Sequence, residues 1–252
     1  MKKIIALLMM ASIVLLVACS GSTGSRETSE PTTEPAQITF PAELSVEEIY
    51  DAFIESLTTR LHKIIGDDTY IDGFDSQEGM LGLYEIASVH RVKMLDKLGY
   101  KIEDINGDGT AELFIYEVDE LTETSRKGTR ILCGFTVIEN EKVLLVEGNS
   151  RNRYYFLDDA TIYNECSASI PQKGAAVYAV EGGKDKLTCV DFYFTSADEN
   201  NQILFYHNQT GDWDVSASEP FAGDEEAFWA NMTSLASRIQ FKELTAFAPF
   251  EG

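Results

Sequence analysis

The segment from Asp104 to Glu112 has the residue types and spacing of a cation-binding loop. Oxygen-bearing side chains stand at its positions 1, 3, 5 and 9, with a glycine at position 6 and a threonine at position 7. Calcium binds about six to eight oxygens at roughly 2.3–2.6 Å, which requires a chain that turns sharply. Gly109 permits the turn, and Thr110 offers its backbone carbonyl. The sequence therefore predicts a structural calcium site formed by Asp104, Asn106, Asp108, Thr110 and Glu112.

The flanks of this loop indicate how it is held. Residues 100–105 and 111–118 have strand-like patterns, so the loop is predicted to cap a hairpin. Its spacing resembles the calcium loops of dockerins, EF-hands and the repeats of integrin-type propellers. Position 12, however, is Ile115 rather than the bidentate glutamate of an EF-hand, so that motif is disfavoured. The alternative is an acidic hairpin that binds no metal, in which the clustered carboxylates repel one another.

The N-terminus has the pattern of an export signal that ends at a cysteine. Basic residues at 2–3 precede the apolar run 4–17, which is typical of a signal peptide. As a helix this run spans only about 21 Å, against roughly 30 Å of bilayer hydrocarbon. Residues 16–19, Leu-Val-Ala-Cys, resemble the lipobox of bacterial lipoproteins at all four positions. A plain signal peptide or a short uncleaved anchor is the alternative.

The lipobox resemblance implies a location. A diacylglyceryl group with palmitate-type chains would be added to the Cys19 thiol, and a peptidase would cleave after Ala18. Two acyl chains hold a protein stably on a membrane. We therefore expect a lipid-anchored protein on the extracytoplasmic face of the cell membrane, at the cell surface.

Composition divides the chain into three parts: a signal peptide (1–18), a lipidated cysteine with a flexible Ser/Thr/Glu/Pro tether (19–42), and a single α+β domain (43–252). The formal net charge is −22 and becomes two units more negative when Lys2 and Lys3 are removed. A polyanion would be repelled by this charge, which argues against a nucleic-acid partner. We expect a monomer.

The fold class predicted from periodicity is α+β. Two N-terminal helices (46–65 and 76–98) precede an antiparallel meander of about ten strands, and one helix (224–238) follows. The candidate strands are 100–105, 111–118, 130–138, 142–147, 153–157, 160–166, 175–181, 186–195 and 202–207, with a weaker one at 212–215.

A second resemblance covers more of the chain. Residues 100–116 are similar to a stretch of uncharacterised surface lipoproteins of Gram-positive type, in which helices precede a DxDxDG loop and a β-meander follows. It implies the same order of elements and a calcium loop, and it brings no known activity.

Three cysteines besides Cys19 lie in strand-like segments: Cys133, Cys166 and Cys189. Their odd number leaves at least one thiol free, and none has CxxC or metal-ligand spacing. Buried free thiols are predicted, with one disulfide as the alternative.

A search for catalytic residues finds no constellation. His62, His90 and His207 are scattered, and no HExxH, GxSxG or SxxK pattern accompanies them. The acid pairs Asp158/Asp159 and Glu117/Asp119 could act on a glycan, but adjacent acids in turns are usually solvated.

Aromatic residues cluster at 154–156, 192–194 and 205–206. Alternation places half of each cluster in the core, and the other half is expected to be covered by a helix. An exposed aromatic row would favour a binding module, whereas an enclosed acidic cleft would favour a hydrolase. The expected function is non-enzymatic binding of a ligand or partner, such as a cell-surface glycan or protein; the alternative is a hydrolase acting on glycan or peptide.

Overall fold

A computed structural model describes residues 44–71, 74, 79–118 and 128–251. All of them belong to one compact unit, Ala42–Gly252. The predicted signal peptide, Cys19 and the whole of the tether lie outside the described residues. Among the described helices, none is both long enough and apolar enough to cross a membrane.

The first helix, α1 (Val46–Gly66), agrees with the predicted range 46–65 and begins at a capping box formed by Ser45 and Glu48. The Ser45 hydroxyl accepts from the Glu48 amide at 3.2 Å, and the Glu48 carboxylate accepts from the Ser45 amide at 2.8 Å. These reciprocal bonds satisfy amides that a helix start leaves without partners. The buried face of the helix carries Tyr50, Leu57, Leu61, Ile64 and Ile65.

The second predicted helix, 76–98, is wrong at both ends. The α-helix α2 covers only Leu81–His90 and is followed by a 3₁₀ helix, Arg91–Lys97. Gly79 has a φ of 79°, a left-handed conformation through which an α-helix cannot run. The predicted start therefore fails, and the change to tighter winding after His90 lets the first strand begin at Leu98.

The predicted α+β architecture is confirmed: N-terminal helices, an antiparallel sheet of eleven strands and one C-terminal helix, which precedes the last strand in the chain. The strands are β1 (Leu98–Glu103), β2 (Glu112–Glu117), β3 (Arg130–Ile138), β4 (Glu141–Glu147), β5 (Asn152–Phe156), β6 (Ile162–Ser167), β7 (Lys173–Ala179), β8 (Thr188–Ala197), β9 (Ile203–Asn208), β10 (Glu219–Pro220) and β11 (Thr245–Ala246). The C-terminal helix, α3, covers Glu225–Ser237, close to its predicted range.

The strand order is β10-β9-β8-β7-β6-β5-β3-β2-β1-β11, and β4 pairs with β3 beside this path. The β3–β4 hairpin turns at Glu139 and Asn140, whose φ values are 51° and 64°. Two successive residues with positive φ are the mark of a tight type I′ hairpin turn. The outermost strands are only two residues long, and neither was predicted.

The weak strand predicted at 212–215 is wrong. This segment is irregular and leads into a short 3₁₀ helix, Val215–Ala217. The Asp214 carboxylate caps that helix by accepting from the Ser216 amide at 2.8 Å. Trp213 packs instead against Phe192 and Phe194, with ring centroids 5.1 and 5.4 Å away.

Two helical layers cover different parts of the sheet. The α1 and α2 helices pack on β1–β3, where Leu113 and Ile115 face them. The α3 helix packs on β5–β7 through Phe228 and Met232. Phe114 points to the opposite side of the sheet from Leu113 and lies in a separate apolar cluster.

Candidate metal centre

The predicted loop connects β1 to β2 and caps a hairpin, as expected from its flanks. The two strands pair from Leu98 opposite Glu117 to Glu103 opposite Glu112. Within the loop, Gly107 and Gly109 have φ values of 74° and 91°. No atom lies within 4 Å of a Cβ built on either residue, so conformation, rather than space, favours glycine here.

The loop side chains turn inward onto the loop backbone. The Asp104 carboxylate accepts from the amides of Gly107 at 2.8 Å, Asp108 at 3.2 Å and Gly109 at 2.9 Å. The Asn106 amide oxygen accepts from the Asp108 amide at 2.8 Å. The Asp108 carboxylate accepts from the Thr110 amide at 2.7 Å. One Asp104 oxygen accepts two of these bonds, whereas its other oxygen and the accepting oxygens of Asn106 and Asp108 accept one each. The loop therefore retains acceptor capacity.

Glu112 closes the loop from the first position of β2, and its side chain is fully buried. Its carboxylate accepts from the Ile105 amide at 3.1 Å and from the Asn106 side-chain amide at 3.4 Å. Burial is the main cause that raises the pKa of Glu112 from 4.5 to about 7, and the carboxylates of Asp108 and Asp104 add to it. The negative charges of Asp104 and Asp108 therefore make ionisation of the buried Glu112 carboxyl group less favourable.

The described part of the chain supplies no cation that pairs with these carboxylates. Among the described residues, no Lys, Arg or His forms an ion pair with Asp104, Asp108 or Glu112. In the same part of the chain, no three His, Cys, Asp or Glu side chains are gathered closely enough to hold a metal by themselves. The predicted calcium ligands are not limited to these four residue types, because they also include the Asn106 side-chain oxygen and the Thr110 backbone carbonyl.

Tyr50 supports the loop from α1, a role that its place on the helix's apolar stripe did not indicate. It is fully buried, and its hydroxyl lies 2.9 Å from the Ala111 carbonyl and 3.1 Å from the Phe135 carbonyl. Burial, with a contribution from the Glu112 carboxylate, raises the pKa of Tyr50. The residue therefore remains a neutral phenol that ties the helix to the end of the loop.

The connection between β7 and β8 supports the loop from the other side. A Cβ placed on Gly182 would lie 2.3 Å from a carboxylate oxygen of Asp108. Ile105 of the loop joins an apolar cluster with Val180 and Leu187 from the same connection. Neither contact was predicted, because residues about 75 positions apart in sequence carry no local signal of proximity.

The acid pairs considered for catalysis are engaged elsewhere. Asp158 and Asp159 both pair with Arg238, Asp158 at 2.8 Å. Glu117 pairs with Arg130 at 2.9 Å, whereas Asp119 lies outside the described residues. Asp158, Asp159 and Glu117 are therefore each paired with an arginine.

The histidines are separate from one another and have different surroundings. His62 contacts the Ala248 carbonyl at 2.8 Å, and His90 is exposed at the end of α2 rather than buried in an apolar stripe. His207 lies 2.9 Å from the Asp191 carboxylate and stacks on Tyr193 with ring centroids 4.6 Å apart.

The aromatic clusters divide between the two sides of the sheet. Tyr193 and Phe205 lie under α3, which agrees with the expectation that a helix covers one half. Phe192 and Phe194 are buried on the other side beneath Trp213.

Cys133, Cys166 and Cys189 are free thiols, with Cys133 and Cys166 buried and Cys189 partly exposed.

Comparisons of the chain with protein-family models, with curated proteins and with solved structures find no match. The functional argument therefore rests on the residues described above.

Proposed function

We propose that this chain is an extracytoplasmic lipoprotein whose folded part is stabilised by one calcium ion. Asp104, Asn106, Asp108 and Glu112 would supply side-chain oxygens, and Thr110 would supply its carbonyl. The observation that carries this proposal is the fully buried Glu112 carboxylate, which lies near two further carboxylates and has no ion-pair partner among the described residues. A bound divalent cation would supply the missing positive charge.

The role proposed for calcium is structural. The loop joins two paired strands and is supported by Tyr50 from one side and Gly182 from the other, so a bound ion would hold these parts together. Extracellular calcium modules typically have dissociation constants of about 10⁻⁴–10⁻³ M. At about 1 mM calcium and a constant of about 0.1 mM, binding stabilises the fold by about 1.4 kcal/mol.

Thermal unfolding with calcium or with EDTA tests the site. Calcium is expected to raise the Tm of the wild-type protein by about 3–6 °C, because this is the shift that about 1.4 kcal/mol produces in a domain of this size. Asp108→Asn should strongly reduce the rise, because it removes one of the three carboxylate charges at the site while keeping an oxygen that can accept from the Thr110 amide.

Asp198→Asn provides the matched control. Asp198 lies in the β8–β9 turn and likewise accepts two loop amides, from Asn200 and Gln202, each at 2.8 Å. This variant should keep the full calcium response. Equal calcium responses in the Asp108 and Asp198 variants would contradict the proposed site.

The anchor and the surface role are also part of the proposal. The lipobox at residues 16–19 supports lipidation of Cys19, and the acidic composition is compatible with a role at the cell surface in binding a ligand or partner. Labelling of host cells with radioactive palmitate should mark the wild-type protein and a Cys189→Ser control. Cys19→Ser should lose both the label and membrane retention; a labelled Cys19→Ser protein would overturn the assignment.

A further inference from the structure

A polar cleft lies between α3 and one end of strands β5–β7, away from the metal loop. Its volume is about 250 Å³. This is slightly below the range of about 300–1,000 Å³ that is typical of drug-sized ligands, so the cleft suits a molecule the size of one sugar ring. The residues that matter most are Arg151, Arg153, Glu165, Ser167, Lys173 and Trp229.

Strand register places Arg151 and Lys173 on either side of Ser167 in this cleft. Ser167 pairs with Lys173 on the neighbouring strand, and the Ser167 amide donates to the Arg151 carbonyl at 3.0 Å. Adjacent strands are about 4.8 Å apart, so the backbones of Arg151 and Lys173 are separated by roughly 10 Å. Directly paired residues project to the same side of a sheet, which leaves a gap above Ser167 flanked by both cations.

Within the described ranges, neither the Arg151 guanidinium nor the Lys173 ammonium has an ion-pair partner. In the next row of the sheet, by contrast, Arg153 pairs with Glu165 at 2.9 Å. Two uncompensated positive charges in one cleft are notable in a chain with 20 basic and 42 acidic residues. The local charge is suited to an anion.

The helix side of the cleft offers an aromatic surface. Trp229 on α3 is 37% exposed. Its indole nitrogen donates to the Glu225 carboxylate at 3.3 Å, and its ring packs edge-on against Phe228 with centroids 5.2 Å apart. These contacts hold the indole while leaving part of its surface accessible to a ligand.

We propose that this cleft binds a small acidic saccharide, with the ligand carboxylate between Arg151 and Lys173 and its sugar ring against Trp229. The proposal gives a site and a ligand class to the ligand-binding role proposed above, and it does not depend on the calcium loop. Guanidinium and ammonium groups donate charge-assisted hydrogen bonds to a carboxylate. An uncharged sugar would lack those bonds, and a free inorganic anion would lack the contact with the indole.

Isothermal titration calorimetry on the full-length protein, in calcium buffer, tests this assignment. The probes are glucuronate, which combines ring and charge, glucose, which has the ring alone, and inorganic phosphate, which has the charge alone. Glucuronate is expected to bind more tightly than either of the others, and added salt should weaken its binding. Failure of glucuronate to bind, or equal binding of all three probes, would overturn the proposal.

Charge-removing variants locate the site. Arg151→Ala and Lys173→Ala are each expected to weaken glucuronate binding by up to about fivefold, and by up to about 25-fold together. Lys93→Ala removes an exposed charge from the 3₁₀ helix after α2 and should leave binding unchanged. If the double variant binds as tightly as the Lys93 control, the cleft is not the site.

Tryptophan fluorescence supplies a second readout. A Trp213→Phe background leaves Trp229 as the only tryptophan, so glucuronate should change its emission. A persistent calcium-induced Tm rise without glucuronate binding would reject the cleft while leaving the metal site standing. Glucuronate binding without any calcium-induced Tm rise would support the cleft and reject the metal site.

Discussion

Replacing Glu112 with glutamine should stabilise the protein in the absence of metal. The side chain keeps its size and an oxygen that can accept from the Ile105 amide, which the carboxylate now does at 3.1 Å. It loses the negative charge that is buried beside Asp104 and Asp108. The variant therefore separates the cost of that charge from the contribution of the side chain to packing.

The pKa of Glu112 gives the expected magnitude and its sign. The folded protein retains a proton between pH 4.5 and about 7 that the unfolded chain releases in that range. The free energy of unfolding therefore falls as the pH rises through this window, by about 3 kcal/mol in total. Glu112→Gln lacks this decline. In EDTA at pH 8 it should unfold about 6–12 °C above the wild type, and this advantage should vanish near pH 4.

Calcium should reduce the difference in stability between Glu112→Gln and the wild type, because it stabilises the wild type more. Binding favours the ionised carboxylate, so calcium releases the proton of Glu112 below pH 7 and its apparent affinity increases toward neutral pH. The wild type should gain about 1.4 kcal/mol at 1 mM calcium, for a dissociation constant of about 0.1 mM. The glutamine variant should gain much less.

Differential scanning calorimetry at pH 4, 6 and 8, with calcium or with EDTA, measures both effects. The Asp198→Asn turn variant controls for the loss of one negative charge elsewhere. A Glu112→Gln protein that is less stable than the wild type in EDTA at pH 8 would refute the argument from the buried charge. A calcium response equal to that of the wild type would refute the role of Glu112 as a ligand.

Three further outcomes can be checked independently. Gly182→Ala should weaken calcium binding measured by titration calorimetry, because its Cβ would lie 2.3 Å from an Asp108 oxygen; unchanged affinity would contradict this. Tyr50→Phe should lower the free energy of unfolding in urea by about 1–3 kcal/mol, since buried carbonyls lose their donor, whereas a neutral result would show that the hydroxyl is dispensable. Alkylation at pH 8, followed by peptide mass spectrometry, should modify Cys189 before Cys133. Cys133 is fully buried, and burial raises its pKa more than that of Cys189, which is raised to about 11. The reverse order of modification would contradict the burial pattern.

Local sequence was sufficient where local chemistry determines the structure. The capping interactions of Ser45 and Glu48 start α1 at the expected residue. Strand alternation located nine of the strands to within a few residues. The loop around Gly109 has the expected sharp turn because glycine adopts its positive φ without steric strain.

Other features depend on contacts between distant parts of the chain. The pattern of apolar residues could not show that Gly79 breaks the second helix or that Arg91 begins a 3₁₀ helix. It could not place Gly182 beside Asp108 either, since that contact requires the whole sheet between them to form. The two cations of the cleft were likewise not recognised, because Arg151 and Lys173 come to lie on either side of Ser167 only through the contacts of β6 with β7 and with the residue before β5.

The two shortest strands, β11 and β10, partly cover the edges of β1 and β9 at the two ends of the sheet. β11 covers part of β1 through Gly99 and Tyr100, so the hairpin that carries the metal loop is not left fully open along its outer side. At the other end, β10 places Glu219 and Pro220 against β9. Proline has no amide hydrogen, and an outward charge opposes close approach of another chain. If Cys19 carries the proposed lipid, copies of the protein would share one membrane plane, and these short strands would hinder pairing between the β1 or β9 edges of neighbouring copies.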